Sequence, residues 1–210
     1  MGNRALITTQ ENYQNDGIAI YLHWNGGYNS VRAFLKYCEL KGYRSPDTDC
    51  YGWARLCQVI GNFFGGGLSI GIDNFSKDAG KYQDNGTYII DGWQIVDRKH
   101  CDYEDQDYYD LNARLKEIDK AQPKSEQLGD FLDAIEIPVD NVKVGDDVFF
   151  FNDIECKYEK RTVVGIGTEE HNAWNTTIGI PYVNRYGDEE KGYAWNINNY
   201  LRTKKVRVCR

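Results

Sequence analysis

The chain has 210 residues, 41% hydrophobic and 27% charged, an ordinary globular composition with room for one large domain or two small ones. No apolar run approaches the ~20 residues a membrane span needs. With 25 Lys and Arg against 32 Asp and Glu, the net charge is −7; such a surface repels bare nucleic acid and suits a basic protein partner, although acidity also serves solubility alone.

The first predicted elements are strands over Ala5 to Thr9 and Ile18 to His23. A polar loop ending in Asp16-Gly17 joins them, which reads as an opening hairpin. Val31, Phe34, Leu35 and Cys38 then recur at helical spacing until Gly42. A second helix starts near Asp49, carries Leu56, Val59, Ile60 and Phe63 on one face, and ends at Gly65-Gly66-Gly67. A strand over Leu68 to Ile72 follows, and Thr87 to Ile90 and Trp93 to Val96 flank Asp91-Gly92, a strong hairpin signal. From Glu104 the period is helical again, with Tyr108, Leu111, Leu115 and Ile118 in one stripe. Pro123-Lys124-Ser125 breaks it, and a short helix with Leu128, Phe131, Leu132 and Ile135 follows. This first domain, residues 1–137, reads as α+β: an antiparallel sheet with helices on one face.

After Pro138 the pattern changes to short strands: Val148 to Phe151, Arg161 to Gly167, Thr176 to Val183, Gly192 to Asn196 and Lys205 to Val208. The phrase from Val142 through Gly145-Asp146 to Phe150, with Arg161 to Gly167, resembles SH3-like barrels. Asn198 to Leu201 would then be the one-turn helix before the last strand. Residues 138–210 are therefore expected to form a small SH3-like β-barrel. Such barrels bind RNA, peptides or proteins, so the likeness concerns fold and not function.

Charge divides along the same line. Met1 to Ile137 hold 14 Lys and Arg against 21 Asp and Glu, whereas Pro138 to Arg210 hold 11 of each. The six cysteines lie apart with no CxxC pair, and no apolar signal segment follows Met1. Reduced thiols in a soluble cytosolic protein are expected. Sixteen tyrosines serve interfaces or simply strands.

Candidate chemistry starts at His23, the only histidine in the first 99 residues. It is a candidate general acid or base for metal-independent RNA cleavage, or a structural residue bonded to its loop. Arg32 and Lys36, four apart on the next helix, would neutralise phosphate. Asn25, Gly26 and Gly27 would offer backbone donors at that helix's start; alternatively the glycines serve a tight turn needing positive φ. Lys204, Lys205 and Arg207 on the last strand would grip an RNA backbone or protect a sheet edge. Asp102, Glu104, Asp105, Asp107, Tyr108 and Asp110 form the densest acidic segment. They would imitate a row of phosphates for a basic protein groove, or merely stabilise a helix N-terminus. Cys38 and Cys57 fall on apolar helix faces and read as core rather than nucleophiles. No spacing suits zinc or calcium, so no metal and no cofactor is expected.

Three stretches, Gly2-Asn3-Arg4-Ala5, Tyr21 to Arg44 and Tyr51 to Gly66, under half of the chain, carry a further likeness. Here the chain resembles anti-CRISPR proteins of Gram-positive mobile elements that target type II-A effectors. The resemblance implies an inhibitor of the RNA-guided effector nuclease and its guide RNA, acting in the bacterial host cytoplasm. Some relatives shorten or displace the guide. Two mechanisms are thus open: a binding inhibitor using the acidic segment, or a guide-RNA-truncating ribonuclease using His23. A third reading is a protein-interaction adaptor with an SH3-like barrel.

Overall fold

The computed structural model describes residues 2–15, 17–47, 49–66, 69–101, 110–152, 157–168, 176–179, 182–183, 189–190 and 205–209. The chain is α+β and divides into two units, Met1–Gln127 and Leu128–Arg210.

In the first unit, β1 (Ala5–Thr9) sits at the centre of a five-stranded sheet with β2 (Ile18–Leu22), β3 (Ile70–Asn74), β4 (Thr87–Asp91) and β5 (Gln94–Lys99), in the order β3-β2-β1-β4-β5. The sheet is mixed, which corrects the expected antiparallel one: β1 and β4 run parallel while the other three pairs are antiparallel. Parallel neighbours require a long crossover, and α2 (Tyr28–Leu40) and α3 (Cys50–Phe63) lie within it. The expected opening loop is itself a short helix, α1 (Gln10–Asn15). At the β4–β5 turn the positive φ of 58° falls on Gly92, and Trp93 is buried with its indole N–H donating to the Tyr43 carbonyl at 2.9 Å.

The helices form as their apolar spacing predicts. Val31, Phe34, Leu35 and Cys38 of α2 are buried, as are Leu56, Val59 and Ile60 of α3, while Phe63 meets Phe34 edge-on at 5.2 Å. Asp49 caps α3 by accepting from the Tyr51 and Gly52 N–H groups. A fourth helix, α4 (Leu111–Ala121), buries Leu115 and Ile118; Asp110 is its cap, so the helix starts there, and 102–109 lie outside the described residues. Tyr37 of α2 donates to Asp119 of α4 at 2.7 Å, a buried bond between the two helices.

Register decides which side chains face these helices. Ile7, Ile20, Leu22 and Tyr88 share one face, and Tyr88 meets Tyr28 of α2 there, ring to ring at 6.3 Å. Leu6, Ala19 and Tyr21 point the other way and pack with Phe75 and with Tyr13 of α1.

In the second unit, β6 (Ile135–Pro138), β7 (Asp147–Asn152), β8 (Lys157–Thr162) and β13 (Lys205–Cys209) form an antiparallel sheet in the order β6-β13-β7-β8. Between them come β9 (Gly165–Thr168) paired with β10 (Thr176–Gly179), and β11 (Tyr182–Val183) paired with β12 (Glu189–Glu190). Among the described residues no closed barrel is formed. Val139, Val142, Val148, Val163, Val206 and Val208 make the core. The helix expected over Leu128 to Ile135 is a 3-10 turn at Gly129–Leu132, after which Ile135 enters β6. The expected strand at Gly192 to Asn196 and the turn at Asn198 to Leu201 lie outside the described residues. Among the described residues no helix is long and apolar enough to cross a membrane.

Candidate functional site

His23 follows β2 directly, and its N–H extends the ladder by donating to the Ser69 carbonyl at 2.9 Å. Period-two alternation puts its side chain on the face of Tyr21, away from α2. Tyr21 Oη lies 2.9 Å from His23 Nδ1, and the imidazole stands edge-on to the Trp24 ring at 5.2 Å. Tyr21 thereby fixes the ring's orientation.

The following loop is held by packing. Asn25, not a glycine, takes the positive φ of 54°. Gly26 donates to the Asn3 carbonyl at 2.8 Å, and a Cβ on it would come within 2.6 Å of that same oxygen. Its requirement is close approach to β1. Gly27 is the N-cap of α2 with φ −66° and no side-chain cap.

Arg32 and Lys36 do lie together, lining a cavity of about 150 Å³ with Tyr28, Trp93 and Leu111. Lys36 pairs with Glu39 at 2.7 Å, and Glu39 also accepts from Gln94 at 3.2 Å. This cavity is on the helix side of the sheet, so the structure brings the two cations together and sets His23 on the other side. Phosphate charge held by α2 would not reach the imidazole.

The last strand is not an edge, since β13 lies between β6 and β7. Lys205 pairs with Glu136 at 3.2 Å. Arg207 stacks over the Phe131 ring at 4.6 Å and donates to the Phe131 carbonyl at 3.2 Å. Lys204 lies outside the described residues, as do Asp102, Glu104, Asp105, Asp107 and Tyr108. Asp110 spends its carboxylate on the Asn112 N–H at 3.0 Å as a helix cap. Burial pushes the Cys38 and Cys57 thiols up, away from a reactive thiolate. The five described cysteines are free, and among the described residues no three His, Cys, Asp or Glu side chains are grouped to hold a metal.

The larger cavity, about 280 Å³, escaped sequence reasoning. Arg4, Tyr21, Asp73, Phe75, Tyr82 and Gln83 line it, beside the sheet face that carries Leu6 and Ala19. Arg4 grips Asp84 through Nε at 3.0 Å and Nη2 at 3.1 Å, and this pairing pulls the Asp84 carboxyl down to about 2. Tyr82 is 77% exposed beside it. The lining comes from segments far apart in the chain, so no local motif announces it. Compared with family models, curated proteins and solved structures, the chain gives no match.

Proposed function

We propose that the chain is an inhibitor of type II-A CRISPR effector nucleases that acts by binding the effector in the bacterial host cytoplasm, without cutting its guide RNA. The resemblance over Gly2 to Ala5, Tyr21 to Arg44 and Tyr51 to Gly66 supplies the target. One observation carries the choice of mechanism: His23 and the pair Arg32/Lys36 lie on opposite sides of one sheet. A ribonuclease needs its acid or base and its phosphate clamp on one reacting group. The excess of acid in Met1 to Ile137 supports a basic protein surface as the partner.

The second unit is proposed to hold that partner as an SH3-like barrel. Its support is the turn before β7, where Gly145 has φ 93°, Lys143 and Asp146 bond to each other, and the Gly145 N–H donates to Val163 at 2.8 Å.

The test is association with a purified type II-A effector loaded with guide RNA, measured at rising salt. Complex formation that weakens with ionic strength is expected. Absence of a complex at low salt would overturn the reading.

A further inference from the structure

The two edges of the five-stranded sheet differ. β5 is guarded: Asp97, Arg98 and Lys99 line it, and its pairing with β4 shifts register at Ile89/Ile90. Charges and irregular pairing are the usual protection against a further strand. β3, Ile70-Gly71-Ile72-Asp73-Asn74, has no Lys, Arg or Pro, and its pairing with β2 is regular throughout. Ile72 is 66% exposed.

The ladder shows where its free groups point. His23 donates to Ser69 and Phe75 donates to Gly17, so the opposed pairs 23/69 and 17/75 are hydrogen-bonded pairs. Antiparallel pairs alternate. Pairs 21/71 and 19/73 therefore turn inward, and the N–H and C=O groups of Ile70, Ile72 and Asn74 turn outward. The Asn74 N–H is taken by the Asp73 carboxylate at 2.8 Å. Among the described residues, Ile70 and Ile72 remain as the open donors and acceptors of this edge.

The same strand borders the 280 Å³ cleft. Asp73 and Gly71 share the face of Tyr21, and Gly71, lacking a side chain, leaves the Tyr21 ring accessible from the edge. We propose that β3 is the acceptor edge for an extended, basic segment of a partner protein, which adds as a sixth strand and sends an arginine or lysine into this cleft. Main-chain bonds to Ile70 and Ile72 supply the affinity, and the alternate side chain in the cleft supplies the specificity. Asp73 meets the cation's charge, Arg4 in the same lining has its own charge answered by Asp84, and Tyr21 and Tyr82 offer ring faces to the incoming cation. A second copy of this chain suits the edge poorly. Pairing about Ile72 would bring the two Asp73 carboxylates to diagonal positions about 7–8 Å apart. The inference holds whether or not the partner is a nuclease.

The test uses the full chain and the peptide acetyl-Thr-Arg-Val-Arg-Thr-amide, its valine placed to pair with Ile72. Binding is followed by isothermal titration calorimetry, and amide hydrogen exchange is read at Ile70 and Ile72. Expected are binding, slowed exchange at both amides, and loss of binding when Glu replaces both arginines. N-methylation of the valine, whose N–H faces β3, lowers affinity about tenfold, whereas N-methylation of an arginine, whose N–H faces away, leaves it unchanged. Because these changes are in the peptide, the fold of the protein is untouched. Equal binding of the Glu peptide, tolerance of the methylated valine, no binding at all, or a dimer that protects Ile72 without peptide would each overturn the proposal.

Discussion

Tyr21 Oη and His23 Nδ1 lie 2.9 Å apart on the side of the sheet that faces away from α2. The bond anchors the histidine as part of the β2 surface, remote from the cations of the next helix. His23→Ala is therefore expected to leave inhibition of a type II-A effector unchanged, with the guide RNA intact in both cases. Arg32→Ala together with Lys36→Ala is expected to do the same. DNA cleavage assays with each variant check this.

The Arg4–Asp84 pair predicts an acid-range effect with a definite sign. The Asp84 carboxyl is drawn down to about 2 in the folded chain, against about 3.9 unfolded. Its contribution is then fully present above pH ~4 and fades as pH falls toward about 2. The stability difference between wild type and Asp84→Asn should be constant from pH 5 to 7 and fall steadily on acidification through the folded value near 2. Thermal melts of both proteins across that range measure it. A difference that grows on acidification would contradict the pairing.

Gly26 and Gly27 separate packing from turn geometry. A Cβ at Gly26 meets the Asn3 carbonyl at 2.6 Å and Ala5 at 2.8 Å, whereas at Gly27 the nearest atom is the Asn3 side chain at 3.7 Å. Gly26→Ala is expected to cost about 1–3 kcal/mol through overpacking, and Gly27→Ala clearly less. Urea unfolding of the two variants gives the comparison.

Tyr37 donates to Asp119 between α2 and α4, and its burial together with the Asp119 carboxylate pushes the phenol's titration far above its ordinary range. Tyr37→Phe removes one donor from that buried carboxylate and should cost about 1.5–3 kcal/mol. The same urea series reads it. An unchanged midpoint would show that the bond is not a strut between the helices.

Arg207 separates a structural from an RNA-binding role for the basic C-terminal strand. Its guanidinium stacks on Phe131 and bonds to the Phe131 carbonyl. Arg207→Lys keeps the charge but loses the planar stack, so it should destabilise the chain to proteolysis. An RNA-binding role predicts the reverse: tolerance of lysine and loss only on charge removal.

Local pattern made much of this fold legible. Ala5–Thr9 and the buried stripes of α2 and α3 follow from apolar spacing, and the start of α3 near Asp49 follows from where that stripe begins. Partners distant in sequence were not legible. β1 pairs with β4 only after a crossover holding two helices, and nothing in either strand encodes the parallel direction. Leu128, Phe131 and Leu132 have helical spacing, yet the alternation of Ile135, Glu136 and Ile137 wins once β13 supplies a ladder. The separation of the candidate site residues has a related cause. His23 and Arg32 are close in sequence, but strand alternation sends one away from the helix that carries the other. The cleft of Arg4, Asp73 and Tyr82 assembles from segments that share no motif.

The central claim is inhibition by binding, without chemistry on the guide. It is tested most directly by incubating a purified type II-A effector, its guide RNA and target DNA with this protein, then running the guide on a denaturing gel. Blocked DNA cleavage with a full-length guide is the predicted result. A shortened guide, or DNA cleavage that proceeds undiminished, would contradict the account.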